Sequence, residues 1–231
     1  MSDPAFRLAT DGFALVESVA DAQPVESLRT ALAGADMARA ERGGETYGAR
    51  NLLAIAAVRS AVALLRKRLH AITGDDLHAV RGLFFDKTSS ANWPVPWHQD
   101  LTIAVRERRD LPGWTNWTVK RGVPHVQAPV DVLSRMITAR LHLDDCPAEN
   151  GALRVVRGSH ANGKLSRKDL VEATQRGVVT VCARRGDALL MKPLLLHASS
   201  PARSPAHRRV LHIEFAPASL LPDELAWADA V

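Results

Sequence analysis

The chain has 231 residues, 46% of them hydrophobic, and a formal charge of +5. That length suits one domain, residues 1–231, with a real core, and that hydrophobicity excludes a disordered chain. The mild basic excess is scattered rather than striped, no run approaches the roughly 18 uncharged apolar residues of a membrane span, and Met1-Ser2-Asp3-Pro4 lacks the basic start of a signal peptide, so neither nucleic acid nor membrane is an expected partner.

Residues 1–74 read as a helical brace. In Val25 to Leu32 the apolar residues recur at helical spacing behind Pro24, a favoured first-turn residue. A longer helix is expected over 51–72. Leu52, Leu53, Ile55, Val58, Val62, Leu65 and Leu69 mark one face, Arg66-Lys67-Arg68 lie near its end, and Gly74 stops it. From residue 77 the pattern changes to short runs rich in Val, Ile, Leu and Phe, punctuated by Pro, Gly, Asn and Asp. Strands are expected at 79–86, 98–104, 135–143, 152–156, 178–182, 187–191, 193–197 and 208–215. So many short strands suggest a sandwich or closed barrel, with 77–216 as its core. The stretch 105–134 shows no clear period and reads as a lid loop, since long segments of this kind are usually functional. Cys146 and Cys182 make no disulfide framework or zinc cluster, and a reducing cytoplasm is the expected location.

Trp97-His98-Gln99-Asp100 opens one expected strand. His98 and Asp100 are two residues apart, so on a strand both point to one face, where an imidazole and a carboxylate can share a metal. His197 closes the apolar run Leu194-Leu195-Leu196. If the sheet rolls up, it can join the other two and complete a face of two histidines and one carboxylate. Such a face leaves three positions open on a non-haem Fe(II) ion. In the last strand Leu211, Ile213 and Phe215 share the core face, while Arg208 and His212 share the other. Arg208 there can grip a ligand carboxylate with two prongs, as lysine cannot.

Together these residues resemble the phytanoyl-CoA dioxygenase family of Fe(II)/2-oxoglutarate oxygenases. The matching phrases are Asp11-Gly12-Phe13-Ala14-Leu15-Val16, Trp97-His98-Gln99-Asp100, and Glu149-Asn150-Gly151-Ala152-Leu153 running into Arg157-Gly158-Ser159-His160. Gly186-Asp187-Ala188-Leu189, His197-Ala198-Ser199 and Arg208 complete the match. The resemblance spans about residue 10 to 216. It implies a mainly β fold with N-terminal helices, a double-stranded β-helix or cupin-like jelly-roll barrel. It implies that His98, Asp100 and His197 bind Fe(II), that Arg208 holds the distal carboxylate of 2-oxoglutarate, and that Ser199 assists. Thr138, Arg140 and His142 would share a face near the cosubstrate; Arg140 stands where relatives commonly carry an aromatic residue. The expected reaction consumes O2 and 2-oxoglutarate, releases succinate and CO2, and hydroxylates an unactivated C–H bond of a small molecule. Asp100 argues against halogenation, because the related halogenases lack this carboxylate to make room for a halide. In the lid loop, Trp114, Trp117 and Gln127 are expected to meet the substrate, with His142 from the barrel wall, and Arg106, Arg108, Arg109, Lys120 and His125 to attract an anion. His160, Gly151, Gly158 and Asn150 read as structural. The alternatives are an enzyme that oxidises a nucleic-acid base, and a non-catalytic binding or regulatory module with a residual metal site.

Overall fold

Asp3 caps the first helix, its carboxylate accepting from the Ala5 amide at 3.1 Å. The structure, a computed structural model, describes residues 3–33, 38–39, 46–203 and 207–231. Its elements are α1 (Pro4–Thr10), β1 (Phe13–Val16), α2 (Ala22–Ala33), β2 (Ala38–Arg39), β3 (Thr46–Arg50), α3 (Ala56–Thr73), β4 (Leu77–Lys87), β5 (Val95–His98), β6 (Thr102–Ala104), β7 (Thr115–Lys120), β8 (Val123–Gln127), α4 (Val130–Ser134), β9 (Ile137–His142), β10 (Leu153–Val156), α5 (Arg167–Ala173), β11 (Val178–Val181), β12 (Ala188–Met191), β13 (His197–Ser199) and β14 (Arg208–Pro217).

Among the described residues the strands form a large sheet in the order β1-β12-β9-β14-β4-β3-β2, a small sheet in the order β11-β10-β13-β5, and a third in the order β6-β8-β7. All pairings are antiparallel. The fold is mainly β, with helices on one side, and the large and small sheets are the two layers of a jelly roll.

The N-terminal part is less helical than expected. β1, β2 and β3 all join the large sheet, β1 along β12 with Phe13 opposite Met191. A four-residue apolar run behind Gly12 (φ 82°) is too short for a stable helix and suits an edge strand. Residues 34–37 and 40–45, which the helical reading includes, lie outside the described residues. The long helix starts later than predicted, at Ala56, and ends as predicted at Gly74 (φ 75°), whose N–H donates to the His70 carbonyl. Arg66 near its end pairs with Asp76 at 2.9 Å.

Helices α2 and α3 cover the outer face of the large sheet. Val25, Leu28, Leu32, Val58, Leu65 and Leu69 pack there with Leu141, Leu190, Leu211, Ile213 and Phe215. Each such buried side chain contributes about 1.5–3 kcal/mol, which fixes which face of β14 turns outward. A smaller cluster of Phe13, Leu153, Val155, Leu189 and Met191 closes one end between the two sheets.

Three further expectations change. The 98–104 strand is two strands, β5 and β6, with Asp100 in the link between them. Residues 193–196 form a turn, so His197 opens β13 rather than closing a strand. The 105–134 stretch is built, not loose: β7 and β8 form a hairpin laid along β6, followed by α4. The hairpin turns on Arg121 (φ 50°) and Gly122 (φ 77°), two left-handed residues in succession that match the twist of the strands. No described helix is long and apolar enough to cross a membrane.

Candidate metal centre

His98 and His197 meet because β5 and β13 are neighbours in the small sheet with these residues directly opposite. Their ring centroids lie 4.2 Å apart. Asp100 arrives from the link. Its amide donates to the Pro193 carbonyl at 2.9 Å. The buried Gln99 side chain anchors the same link, donating to the carbonyls of Leu194 at 2.6 Å and Gly163 at 2.8 Å and accepting from the Leu165 amide. Asp100 Oδ1 is 3.7 Å from His98 Nε2, and Oδ2 is 3.7 Å from His197 Nε2. One donor atom from each of the three residues lies within 4.8 Å of the others.

Each imidazole is turned by its own backbone. His98 Nδ1 sits 2.8 Å from the Pro96 carbonyl, and His197 Nδ1 sits 2.8 Å from the Leu195 carbonyl. A carbonyl only accepts, so Nδ1 carries the proton and each Nε2 lone pair faces Asp100. Burial lowers the His197 pKa to about 4, so the ring is neutral at pH 7, as a ligand must be. Burial alone would raise the Asp100 carboxyl, but the neighbouring His197, His212, His98 and Arg140 outweigh it and bring it down to about 2. Asp100 Oδ2 is buried without a hydrogen-bond partner. A carboxylate with a buried, unpartnered oxygen, each of its two oxygens 3.7 Å from an imidazole Nε2, fits a divalent cation of the Fe(II) type.

The large sheet supplies the opposite wall. Alternation along β14 sends Arg208, His212 and Glu214 inward. In register they face Lys87, Leu83 and Arg81 of β4, and β9 sets Arg140 beside His212 and Thr138 beside Glu214. The buried Arg208 guanidinium donates to the Gly151 carbonyl, and its Nε has no partner. Lys87, 1% exposed, donates to Ser199 Oγ at 3.0 Å and to the Ser200 carbonyl at 3.2 Å. Burial, then Arg208 and Arg140, lower its pKa to about 7. Arg140 donates to His212 Nδ1 at 2.9 Å and lies over the Phe85 ring. Burial, then Arg208, lower its pKa to about 10, which leaves it charged. Arg81 pairs with Glu214 at 2.9 Å.

A cavity of about 570 Å³ joins these walls. His98, Asp100, His197, Ser199, Arg140, Arg208 and Gln127 all line it. Thr138 borders a small gap next to Asp100 and Glu214. His142 is buried and outside the lining; neither ring nitrogen has a partner, and burial, then Arg140 and Arg208, lower its pKa to about 3. Trp114 is buried in a second apolar cluster with Ile103, Val126 and Leu133, Trp117 packs against it, and neither lines the cavity. Of the residues expected to attract an anion, Lys120 lines the cavity. Arg106, Arg108 and Arg109 are exposed, the last two paired with Asp110 and Glu107, and His125 is buried outside the lining.

Sequence reading missed Gln99, Lys87, Arg81, Glu214 and Arg50. Arg81, Leu83, Phe85 and Lys87 alternate on one strand, and Glu214 shares the inward period of His212. Both signals are present in the sequence.

The model of the family described as Phytanoyl-CoA dioxygenase (PhyH) matches residues 8–210. The chain belongs to the phytanoyl-CoA dioxygenase family. Solved structures of similar fold include the non-heme alpha ketoglutarate dependent epimerase SnoN from nogalamycin biosynthesis, at 19% identity and TM-score 0.69, covering 94% of this chain and 82% of that one. EctD from S. alaskensis, in its apoform, has 19% identity and TM-score 0.70 over 93% of this chain and 76% of that one. HygX from Streptomyces hygroscopicus, crystallised with nickel and 2-oxoglutarate, has 22% identity and TM-score 0.65 over 94% and 87%. No curated protein matches. At these identities the likeness is one of fold, and it gives this family member the jelly roll.

Proposed function

We propose that this member of the phytanoyl-CoA dioxygenase family is an Fe(II)- and 2-oxoglutarate-dependent dioxygenase, folded as one domain, that hydroxylates an unactivated C–H bond of a small molecule. The observation that carries the reading is the convergence of His98, Asp100 and His197 within 4.8 Å on the cavity that Arg208 also lines. When bound, iron, 2-oxoglutarate and O2 supply the oxidising power, with succinate and CO2 as by-products.

The chain's own residues do the rest. His98 and His197 present Nε2 donors in a fixed tautomer, and Asp100 supplies the anionic donor. Arg208 holds the distal carboxylate of the cosubstrate, where a two-pronged guanidinium gives both charge and direction. Ser199 adds a hydroxyl, and Lys87 holds that hydroxyl in place through its buried amine. Arg140, braced by His212, faces the same cavity and bears on the cosubstrate or on an acidic substrate. Gln127 belongs to the substrate wall.

Anaerobic titration of Fe(II) and 2-oxoglutarate tests this, with a visible metal-to-ligand charge-transfer band as the expected signal. Succinate release with gain of one oxygen in a substrate completes it. No band, and no succinate with any candidate, would instead leave a binding module with a residual metal site. A product isomeric with its substrate, or one lacking two hydrogens, would keep the oxygenase assignment and replace hydroxylation by epimerisation or by ring closure and desaturation.

A further inference from the structure

The cavity lining carries five Lys or Arg side chains, Arg50, Arg81, Lys120, Arg140 and Arg208, against two carboxylates, Asp100 and Glu214, an excess of three positive charges. A ferrous ion and a 2-oxoglutarate dianion cancel each other, so the loaded site keeps that excess. Three of the five have duties already. Arg81 is paired with Glu214, Arg140 donates to His212, and Arg208 is bonded to the Gly151 carbonyl beside the cosubstrate position.

Arg50 and Lys120 have none. Arg50 Nη1 is buried without a hydrogen-bond partner. Among the described residues no carboxylate pairs with either head group. They come from two different elements, β3 and the β7–β8 hairpin, yet both line the one cavity. Burial, then Arg81 and Arg50, lower the Lys120 pKa; burial, then Arg81, lowers that of Arg50. The level of Arg50 in the cavity differs from that of Arg208. Arg50 lies opposite Leu83 of β4, and Arg208 opposite Lys87, four residues along the same strand or about 13 Å. Asn116 and Gln127, bonded to each other at 2.9 Å, line the cavity from the same hairpin and offer amide groups.

Unpaired, half-buried cations that share a cavity are stabilised by an anion and by little else. We propose that Arg50 and Lys120 form a substrate subsite for an oxyanion group, so that the substrate is a small molecule bearing a carboxylate or a phosphoryl group. This inference rests on the oxygenase reading for the word substrate, whereas the anion subsite itself does not depend on turnover.

Calorimetry tests it on protein loaded anaerobically with Fe(II) and saturating 2-oxoglutarate. The probes are phenyl phosphate, benzoate and, as a neutral control of similar size, benzyl alcohol. The expected result is binding of at least one anion, weakened by salt, with the control at least roughly tenfold weaker. The tighter anion tells the phosphoryl from the carboxylate class. The Arg50→Gln/Lys120→Gln protein should bind that anion at least about tenfold more weakly while its 2-oxoglutarate affinity stays unchanged, which also shows that it is folded. Should the double variant not fold, Lys120→Gln alone, on the hairpin, should give a several-fold loss. Binding of neither anion, equal binding of benzyl alcohol, undiminished binding in the variants, or a loss confined to 2-oxoglutarate would overturn the subsite. The 2-oxoglutarate titration that loads the protein reports on the oxygenase reading, so the two fail separately.

Discussion

Asp100 is the residue on which the two histidines converge, and its replacement is the sharpest test at this scale. Asp100→Ala should reduce iron-dependent succinate formation to background, with circular dichroism unchanged, because its buried Oδ2 accepts no hydrogen bond from the described residues. Arg208→Ala should raise the 2-oxoglutarate concentration for half-saturation. Loss of one charged hydrogen-bonding partner costs about 2 kcal/mol, or roughly thirtyfold in affinity. Asp144 is the comparable structural residue. It accepts from the Arg209 amide at 2.9 Å and from its guanidinium at 2.8 Å, and also from Arg29. Burial alone would raise its pKa, but Arg209 and Arg29 prevail and lower it. A depressed carboxylate stabilises the folded state above its unfolded pKa, and that contribution disappears as pH falls through the lower folded value. Asp144→Asn should therefore cost about 2 kcal/mol at pH 7 and much less in acid, as read by urea unfolding at both pH values. The metal ligands were legible because His-x-Asp and a later histidine belong to one pattern. Lys87 and Glu214 carry the inward alternation of their strands, but a charged residue in a strand ordinarily faces water, so the pattern alone does not mark them as cavity groups; the jelly roll turns both inward.

Single elements show where pattern reading works and where it stops. The apolar run 193–196 has strand composition, yet it turns, with the Leu195 amide bonded to the Lys192 carbonyl at 3.0 Å. Periodicity cannot separate a buried turn from a buried strand when both are apolar. The hairpin was hidden for the opposite reason. β7 is mostly exposed and shows no alternation of apolar residues, and its turn uses Arg121-Gly122 rather than Asn-Gly. The turn before β12 gives a test. Gly186 has φ 89°, and an added Cβ would stand 2.3 Å from the Ala20 carbonyl oxygen. Its own carbonyl accepts from the amides of Val19 and Ala20. Gly186→Ala should destabilise the protein by roughly 2 kcal/mol or more, seen as a lower denaturation midpoint with the metal site unaltered.

Across the whole molecule, the helical brace and the site lie on opposite faces of the same large sheet. Leu69, fully buried in α3, packs on the outer face, while Arg140 and His212 look inward from the strands beneath. Leu69→Ala should cost about 2–5 kcal/mol, measured by denaturation, while 2-oxoglutarate affinity in the folded fraction is retained. Strand count and punctuation were enough for a sandwich or barrel, and the resemblance to the phytanoyl-CoA dioxygenase family narrowed that to the jelly roll. The N-terminal strands β1, β2 and β3 were not, because β1 joins β12 and β3 joins β4 across long stretches of chain, which leaves little local trace.

The β7–β8 hairpin has a consequence for how such a protein can change its diet. It enters the chain after Asp100 and β6 and leaves before β9, so every iron-binding group lies outside it. It nevertheless carries Asn116, Lys120 and Gln127 to the wall of the cavity. New appetites can therefore be written into one short excursion of the chain, while the machinery that consumes oxygen is inherited untouched.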